Sequence, residues 1–122
     1  MPSASRRVHV RTESPEMFQA KVARVIHRLM RHGPTIVDVA HDMSINVRTL
    51  QRRLAASGTP FRALLDDCRR QRATAALLNG TQSIGQISQS LGYSDPSHFV
   101  RAFHRWTGHA PTHYLKAGRD TT

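Results

Sequence analysis

Cysteine is almost missing from this sequence. Cys68 stands alone, so no internal disulfide can form, and a reducing cytoplasm suits the chain. No stretch approaches the roughly 18 consecutive apolar residues of a membrane span, and no apolar region of signal-peptide type opens the chain. The expectation is a soluble, cytoplasmic protein without a membrane partner. Aromatic residues make up 6% and hydrophobic residues 39%, which allows only thin cores. Alternation of the strand type is absent throughout, so the expected fold is all-α. Acidic residues are few: 8 stand against 18 basic ones, the net charge is +10, and 16 of the 18 are arginine. Such a balance points to a polyanionic partner, and arginine suits recognition of phosphate and of planar acceptors. Anionic lipid is the rival polyanion, but no long basic amphipathic helix with a bulky aromatic face is present.

Reactive chemistry is equally sparse. No Gly-rich phosphate loop, nucleophile elbow or Cys/His dyad stands out. Among the 8 histidines, His109 and His113 are four apart and could share a helical face, yet no third ligand follows at zinc-like spacing. Asp66 and Asp67 resemble a carboxylate pair, but adjacent helical residues point different ways. Arg62, Arg69 and Arg70 are near enough to make them surface ion-pair partners. Neither an enzyme, a metal site nor a cofactor is expected.

What is present is helical periodicity. A length of 122 residues allows one domain, or two very small ones sharing a connecting element. Residues 1–15, with Arg6, Arg7 and Arg11, lack apolar periodicity and read as a disordered basic tail or linker remnant; the alternative is a basic arm touching a nucleic-acid backbone. From Glu16, Phe18, Val22, Val25, Ile26 and Leu29 share one face until Gly33-Pro34. Thr35 can cap a short helix with Ile36, Val39, Ala40 and Met43 inward. Asn46 can cap a helix whose inner side is Val47, Leu50 and Leu54, leaving Arg48, Thr49 and Arg52 outward and Gln51 at the edge. Gly58 ends it. Thr59-Pro60 opens a longer helix bearing Phe61, Leu64, Leu65, Cys68, Ala75 and Leu78, up to Asn79-Gly80. Ser83 with Gln86 forms a capping box for the next helix, which places Ile84, Ile87 and Leu91 on one side. Asp95-Pro96 then restarts the chain as a helix, an N-cap acceptor before a proline at the first helical position. That helix turns Phe99, Val100, Phe103 and Trp106 one way and Ser97, His98, Arg101 and Arg105 the other. After Gly108, Pro111 starts a last short turn with Tyr114 and Leu115.

The helix, turn and helix from Ile84 onward occur twice. Val39-Ala40, Met43 and Ser44 precede Ile87-Ser88, Leu91 and Gly92 by 48 positions, and Leu50, Arg52 and Leu54 precede Phe99, Arg101 and Phe103 by 49. Each copy ends in an amphipathic helix with guanidinium groups opposite its core seam. That is the build of a recognition helix lying in a DNA major groove, where arginine pairs with guanine or clamps a phosphate.

The stretch L-G-Y-S-D-P-S-H-F-V-R-A-F-H-R-W-T-G-H-A-P-T-H-Y resembles the second helix-turn-helix of the AraC/XylS family of bacterial transcription regulators. V-R-T-L-Q-R-R-L-A-A-S-G-T-P-F-R resembles the end of the first. The similarity runs from about Phe18 to Lys116, most of the chain. Two positions depart from the usual pattern: Ser44 replaces the small turn residue, often glycine, and Ser88 replaces the usual alanine. A serine at 44 bears on the angle of the first recognition helix.

The resulting expectation is an AraC-type DNA-binding domain over residues 16–116. A first helix-turn-helix unit covers about 16–58, a connecting helix about 60–78 and a second unit about 83–116, with a tail at 117–122. The connector's 19 residues span about 28 Å, and with the width of each unit added this suits major grooves recurring every ~34 to 36 Å. Candidate DNA contacts are Arg48, Thr49, Gln51, Arg52, Ser97, His98, Arg101 and Arg105. The leading function is sequence-specific binding of double-stranded DNA by a transcription regulator; the alternative is a non-specific or architectural nucleic-acid binder. A protein-interaction surface, for instance for RNA polymerase, is compatible with either. Because members of the family usually carry an N-terminal effector-binding or dimerising domain, the chain reads as a stand-alone short regulator or as the C-terminal piece of a longer one. The linker-like start favours the second, with a monomeric isolated domain and dimerisation through the missing part. The expected location is the bacterial cytoplasm, at the nucleoid.

Overall fold

Ser14 and Pro15 start the first helix together: the Ser14 hydroxyl accepts from the Met17 N–H at 3.1 Å, and proline occupies a position whose N–H would lack a partner anyway. The computed structural model describes residues 13–114, and these are helical, with turns between the helices. The helices are α1 (Pro15–Leu29), α2 (Ile36–Asp42), α3 (Val47–Ala56), α4 (Phe61–Asn79), α5 (Ile84–Ser90) and α6 (Pro96–Thr107). A 3₁₀ turn, Met30–His32, extends α1, and a single helical turn covers residues 111–114.

Residues 13–15 belong to the folded unit, not to a tail. Besides the Ser14 cap, the Glu13 carboxylate bridges Lys21 of α1 and Arg53 of α3, the latter at 2.6 Å. The predicted basic tail over 1–12, the tail at 117–122, and Leu115 and Lys116 lie outside the described residues.

The predicted caps are present. Thr35 with Asp38 closes a capping box on α2, and Ser83 with Gln86 closes one on α5. α1 lies across α2, α3 and α4, while α5 meets α4 and the 3₁₀ turn, and α6 packs chiefly on α5. Instead of two separate thin cores, the buried side chains form one continuous cluster. It runs from Phe18, Ile26 and Met30 through Leu54, Leu64 and Leu77 to Ile87, Phe99 and Phe103.

Two inner faces differ from expectation. On α4, Ala75 is exposed and Leu78 is 49% exposed, whereas Ala73 and Leu77 are buried. The buried stripe steps from Cys68 to Ala73, and five residues at about 100° each carry it part-way round the helix. A connector packed by both α1 and α5 needs such a turning stripe. On α6 the seam passes through Ala102, not Val100, which is 36% exposed. Phe99, Phe103 and Trp106 fill the inner side so fully that only a methyl fits beside them; rings of Phe99 and Phe103 lie 5.9 Å apart, and Tyr114 meets Phe103 edge-on at 5.2 Å.

The two turns preceding α3 and α6 use the same left-handed backbone position. Gly92 has φ +86°, and Ser44, 48 residues earlier, has φ 58°, the one non-glycine residue with positive φ among those described.

Candidate nucleic-acid interface

Each recognition-type helix is set by its cap. The Asn46 side chain accepts from the Thr49 N–H at 2.8 Å, and Asp95 accepts from the Ser97 N–H at 3.0 Å. The Ser97 amide, helped by the nearby charges of His98 and Arg101, holds the Asp95 carboxyl below the usual carboxylate range. Both caps anchor the first turn, so the first outward side chains of each helix are fixed in direction.

On α3, Arg48, Gln51 and Arg52 are exposed, and Thr49 is only partly exposed, against the expectation of a fully outward residue. Its position is rotated toward Arg53, which docks onto α1. The neighbours Arg52 and Arg53 therefore have different surroundings. Arg53 binds Glu13, and its guanidinium stacks 3.9 Å above the Phe18 ring. Arg52 is exposed and, among the described residues, has no carboxylate partner, nor has Arg48.

On α6, Ser97, His98, Arg101 and Arg105 are all exposed. With Phe99, Ala102 and Phe103 as the buried side, helical geometry centres the opposite face on Ser97, Arg101 and His104, with Val100 along one edge. His98 and Arg105 lie along the other edge, toward α4. There a cleft of about 330 Å³ is lined by His98, Arg101 and Arg105 of α6 and by Arg62, Asp66 and Arg69 of α4. The guanidinium groups of Arg62, Arg101 and Arg105 border this cleft with one carboxylate, while that of Arg69 is taken up by the Leu91 carbonyl. Like charges gathered at a water-exposed surface with so little compensation favour a polyanion.

Three of these positions escape a reading by sequence. The apolar character of Val100 points it to the core, and His104 lies between Arg101 and Arg105 without a charge pattern that singles it out. Arg62 lies on another helix 39 residues before Arg101 in the sequence, and only the packing of α4 beside α6 unites them. Asp67 does pair with Arg70, at 3.8 Å, as expected of surface ions. The rings of His109 and His113 stack at 4.8 Å, and among the described residues no group of three His, Cys, Asp or Glu side chains is placed to hold a metal. Burial, with the charge of Asp67 adding to it, pushes the Cys68 thiol up to about 11, so this cysteine is a core side chain and not a nucleophile. No helix among the described residues is long and apolar enough to cross a membrane.

Known proteins are similar to this chain in sequence and fold. A family model described as a helix-turn-helix domain matches residues 39–117. Over 85 residues the chain is 46% identical to an uncharacterized HTH-type transcriptional regulator of Mycobacterium tuberculosis, a match covering 70% of this chain and 25% of the relative. The chain thus spans about a quarter of the length of that curated relative. Its fold is similar to the crystal structure of a DNA-binding transcriptional dual regulator from Escherichia coli K-12, with a TM-score of 0.78 at 27% identity, covering 84% of this chain and 93% of the other. It also resembles the DNA-binding domain of AdpA, a global transcriptional factor crystallised with a target DNA. That likeness, of fold alone, has a TM-score of 0.72 at 21% identity and covers 84% of this chain and 94% of that one.

Proposed function

This chain belongs to the AraC-type helix-turn-helix family of transcription regulators, which are not enzymes, and we propose that it binds double-stranded DNA sequence-specifically, with α3 and α6 reading successive major grooves. The observation that carries this reading is the distribution of arginine. On both helices the guanidinium groups opposite the core, Arg48 and Arg52 on α3 and Arg101 and Arg105 on α6, have no carboxylate partner among the described residues, whereas Arg28, Arg53 and Arg70 do. Groups left available in this way can fork onto guanine or phosphate.

Arg52 and Arg101, near the centres of their faces, are the base readers; Arg48, Gln51, Ser97, His98 and Arg105 flank them. Thr49, partly covered, contributes through its methyl or hydroxyl at the margin. Arg62 extends the phosphate-binding track of the second unit onto α4. Because Arg48 and Thr49 differ from Ser97 and His98, the two half-sites are unlike each other and not palindromic. The protein works in the bacterial cytoplasm at the nucleoid, with RNA polymerase as a further partner.

The test is selection of bound sequences from a random duplex pool, followed by titration of the selected site with inserts of 0, about 5 and about 10 bp between half-sites, since half a helical turn moves one box to the far side. Loss of affinity at about 5 bp with recovery at about 10 bp supports paired reading. Similar affinity for scrambled duplexes at fixed salt would instead mark a non-specific binder driven by the net charge.

A further inference from the structure

Two arginines of α4 direct their side chains onto backbone carbonyls of other helices. The Arg69 Nε–H donates to the Leu91 carbonyl at 3.1 Å, and the Arg72 guanidinium donates to the His27 carbonyl at 2.8 Å. Leu91 is the C-terminal cap of α5, and His27 lies in the last turn of α1. Carbonyls at helix ends lack partners within their own helix or share them, and a charged donor is a strong one for them. Being three apart, Arg69 and Arg72 stand on neighbouring sides of a single turn of α4. That one turn ties together the ends of two helices from different halves of the chain.

Arg69 does more than reach one carbonyl. Its guanidinium lies 4.6 Å from the centre of the Tyr93 ring, and Tyr93 in turn lies 6.0 Å from Phe99, the first buried ring of α6. It therefore clasps the turn between α5 and α6 from both sides, at Leu91 and at Tyr93. Within the same turn, Gly92 abuts Gly33, which follows the end of α1. Because α6 packs chiefly on α5, its direction relative to α3 depends on how this junction is held.

We infer that Arg69 and Arg72 are positioning residues that set the angle between the two recognition helices, and that they act through backbone carbonyls at the junction and not by touching DNA. The functional meaning of this angle rests on the two-groove reading above; the structural part does not. A flexible junction would let each helix find its own groove, whereas a fixed one selects DNA by half-site spacing. Effective concentration for the second contact falls when the connection loosens.

The experiment measures the angle directly. Spin labels are placed on Ala55→Cys in α3 and His104→Cys in α6, both exposed positions, while Cys68, buried, stays unlabelled in the folded chain. Electron–electron distance measurements on the DNA-free protein should give one narrow distribution for the parent. Arg69→Met and Arg72→Met should broaden or split it. Arg69→Lys should not rescue it, because lysine restores the charge without the planar fork that holds Leu91 and stacks on Tyr93. With helical circular dichroism showing which variants fold, the expectation applies separately to each of them, and the lysine variant perturbs packing least. Distributions that superimpose on the parent in every folded variant overturn the inference, as does full rescue by lysine, which would mean a purely electrostatic role.

On DNA, Arg72→Met should bind a single half-site like the parent but lose on the order of tenfold on the correctly spaced pair. An undiminished pair affinity beside a broadened distribution would mean the angle does not serve binding and would overturn that part. If the parent itself gains nothing from a second half-site, the two-groove reading fails, while the distance measurement still decides whether Arg69 and Arg72 hold the junction.

Discussion

Gly92 lies with its backbone directly against that of Gly33: a Cβ added at Gly92 would sit 2.6 Å from the Gly33 amide nitrogen and 2.6 Å from the Met30 carbonyl oxygen. Backbone meets backbone here, so no side chain can rotate away. Gly92 also has φ +86°, which L-residues adopt only at a cost. Steric overlap and conformation combine at one position. Gly92→Ala should therefore destabilise by roughly 3 kcal/mol, in the upper part of the usual range for single substitutions. Denaturant unfolding of the variant checks this; a loss below about 1 kcal/mol would show that the junction opens easily.

Ser44 occupies the matching position of the first turn with φ 58°. Its side chain is exposed, so only the left-handed backbone is at issue. Ser44→Gly should stabilise by about 1 kcal/mol, the strain relieved less the entropy that glycine loses on folding. A rise in melting temperature with unchanged half-site preference is expected.

Ser88 offers a second gain. Its hydroxyl is buried in α5 without a hydrogen-bond partner among the described residues. Removing an unsatisfied buried polar group leaves a better-matched core, so Ser88→Ala should add about 1 kcal/mol. Ser44 lies in the turn before α3 and Ser88 within α5, so their effects should sum. Calorimetry on the single and double variants measures both.

The arginines should separate by role. Arg52→Ala and Arg101→Ala should each cost about 1 to 3 kcal/mol of specific binding and relax choice at one base position. Arg62→Ala should weaken all duplexes alike and reduce the salt slope by about 1, the signature of a lost phosphate contact. Arg53→Ala should lower stability instead, because it breaks the Glu13 bridge and uncovers Phe18. Titrations at several salt concentrations, beside melting curves, distinguish the three outcomes.

Acid should destabilise the protein in two stages. Burial, then the charge of Arg72, holds His27 below the ordinary histidine value of about 6.5. The unfolded chain takes up that proton more readily than the folded one, so the stabilisation is complete above about pH 6.5 and declines as pH falls below it. His27→Gln should flatten the stability profile between about pH 7 and about pH 5.5. Glu13, Asp38 and Asp95 are held below their usual ranges by hydrogen bonds, so their contribution is present above those ranges and fades only at lower pH. A profile without any slope near neutrality in the parent would remove His27 from this account.

Local signals in the sequence were dependable where the partners are close in the chain. Ser83 with Gln86, Thr35 ahead of its helix, Asn46, and Asp95 before Pro96 each act within three residues, and each cap was legible. The inner faces of α1 and α3 were also readable, because each packs as one straight stripe. Ala75, Leu78 and Val100 were misassigned where a second packing partner or a crowd of rings redirected the seam. Glu13 with Arg53, Arg72 with His27 and Arg62 beside α6 join residues dozens of positions apart. Nothing in periodicity or spacing announces such pairs, since most surface arginines look alike until a neighbour is in place.

The unbroken core running from Phe18 to Phe103 has a consequence for how such a protein can diversify. Proteins built as beads on a string can change what they read by shuffling whole beads. Here the hydrophobic interior crosses every boundary at which a bead could be cut, and exchanging one half would leave mismatched apolar surface on both sides. New targets are accessible by changing letters on the outer faces of α3 and α6, one side chain at a time, while the inherited grammar between the two half-sites stays fixed.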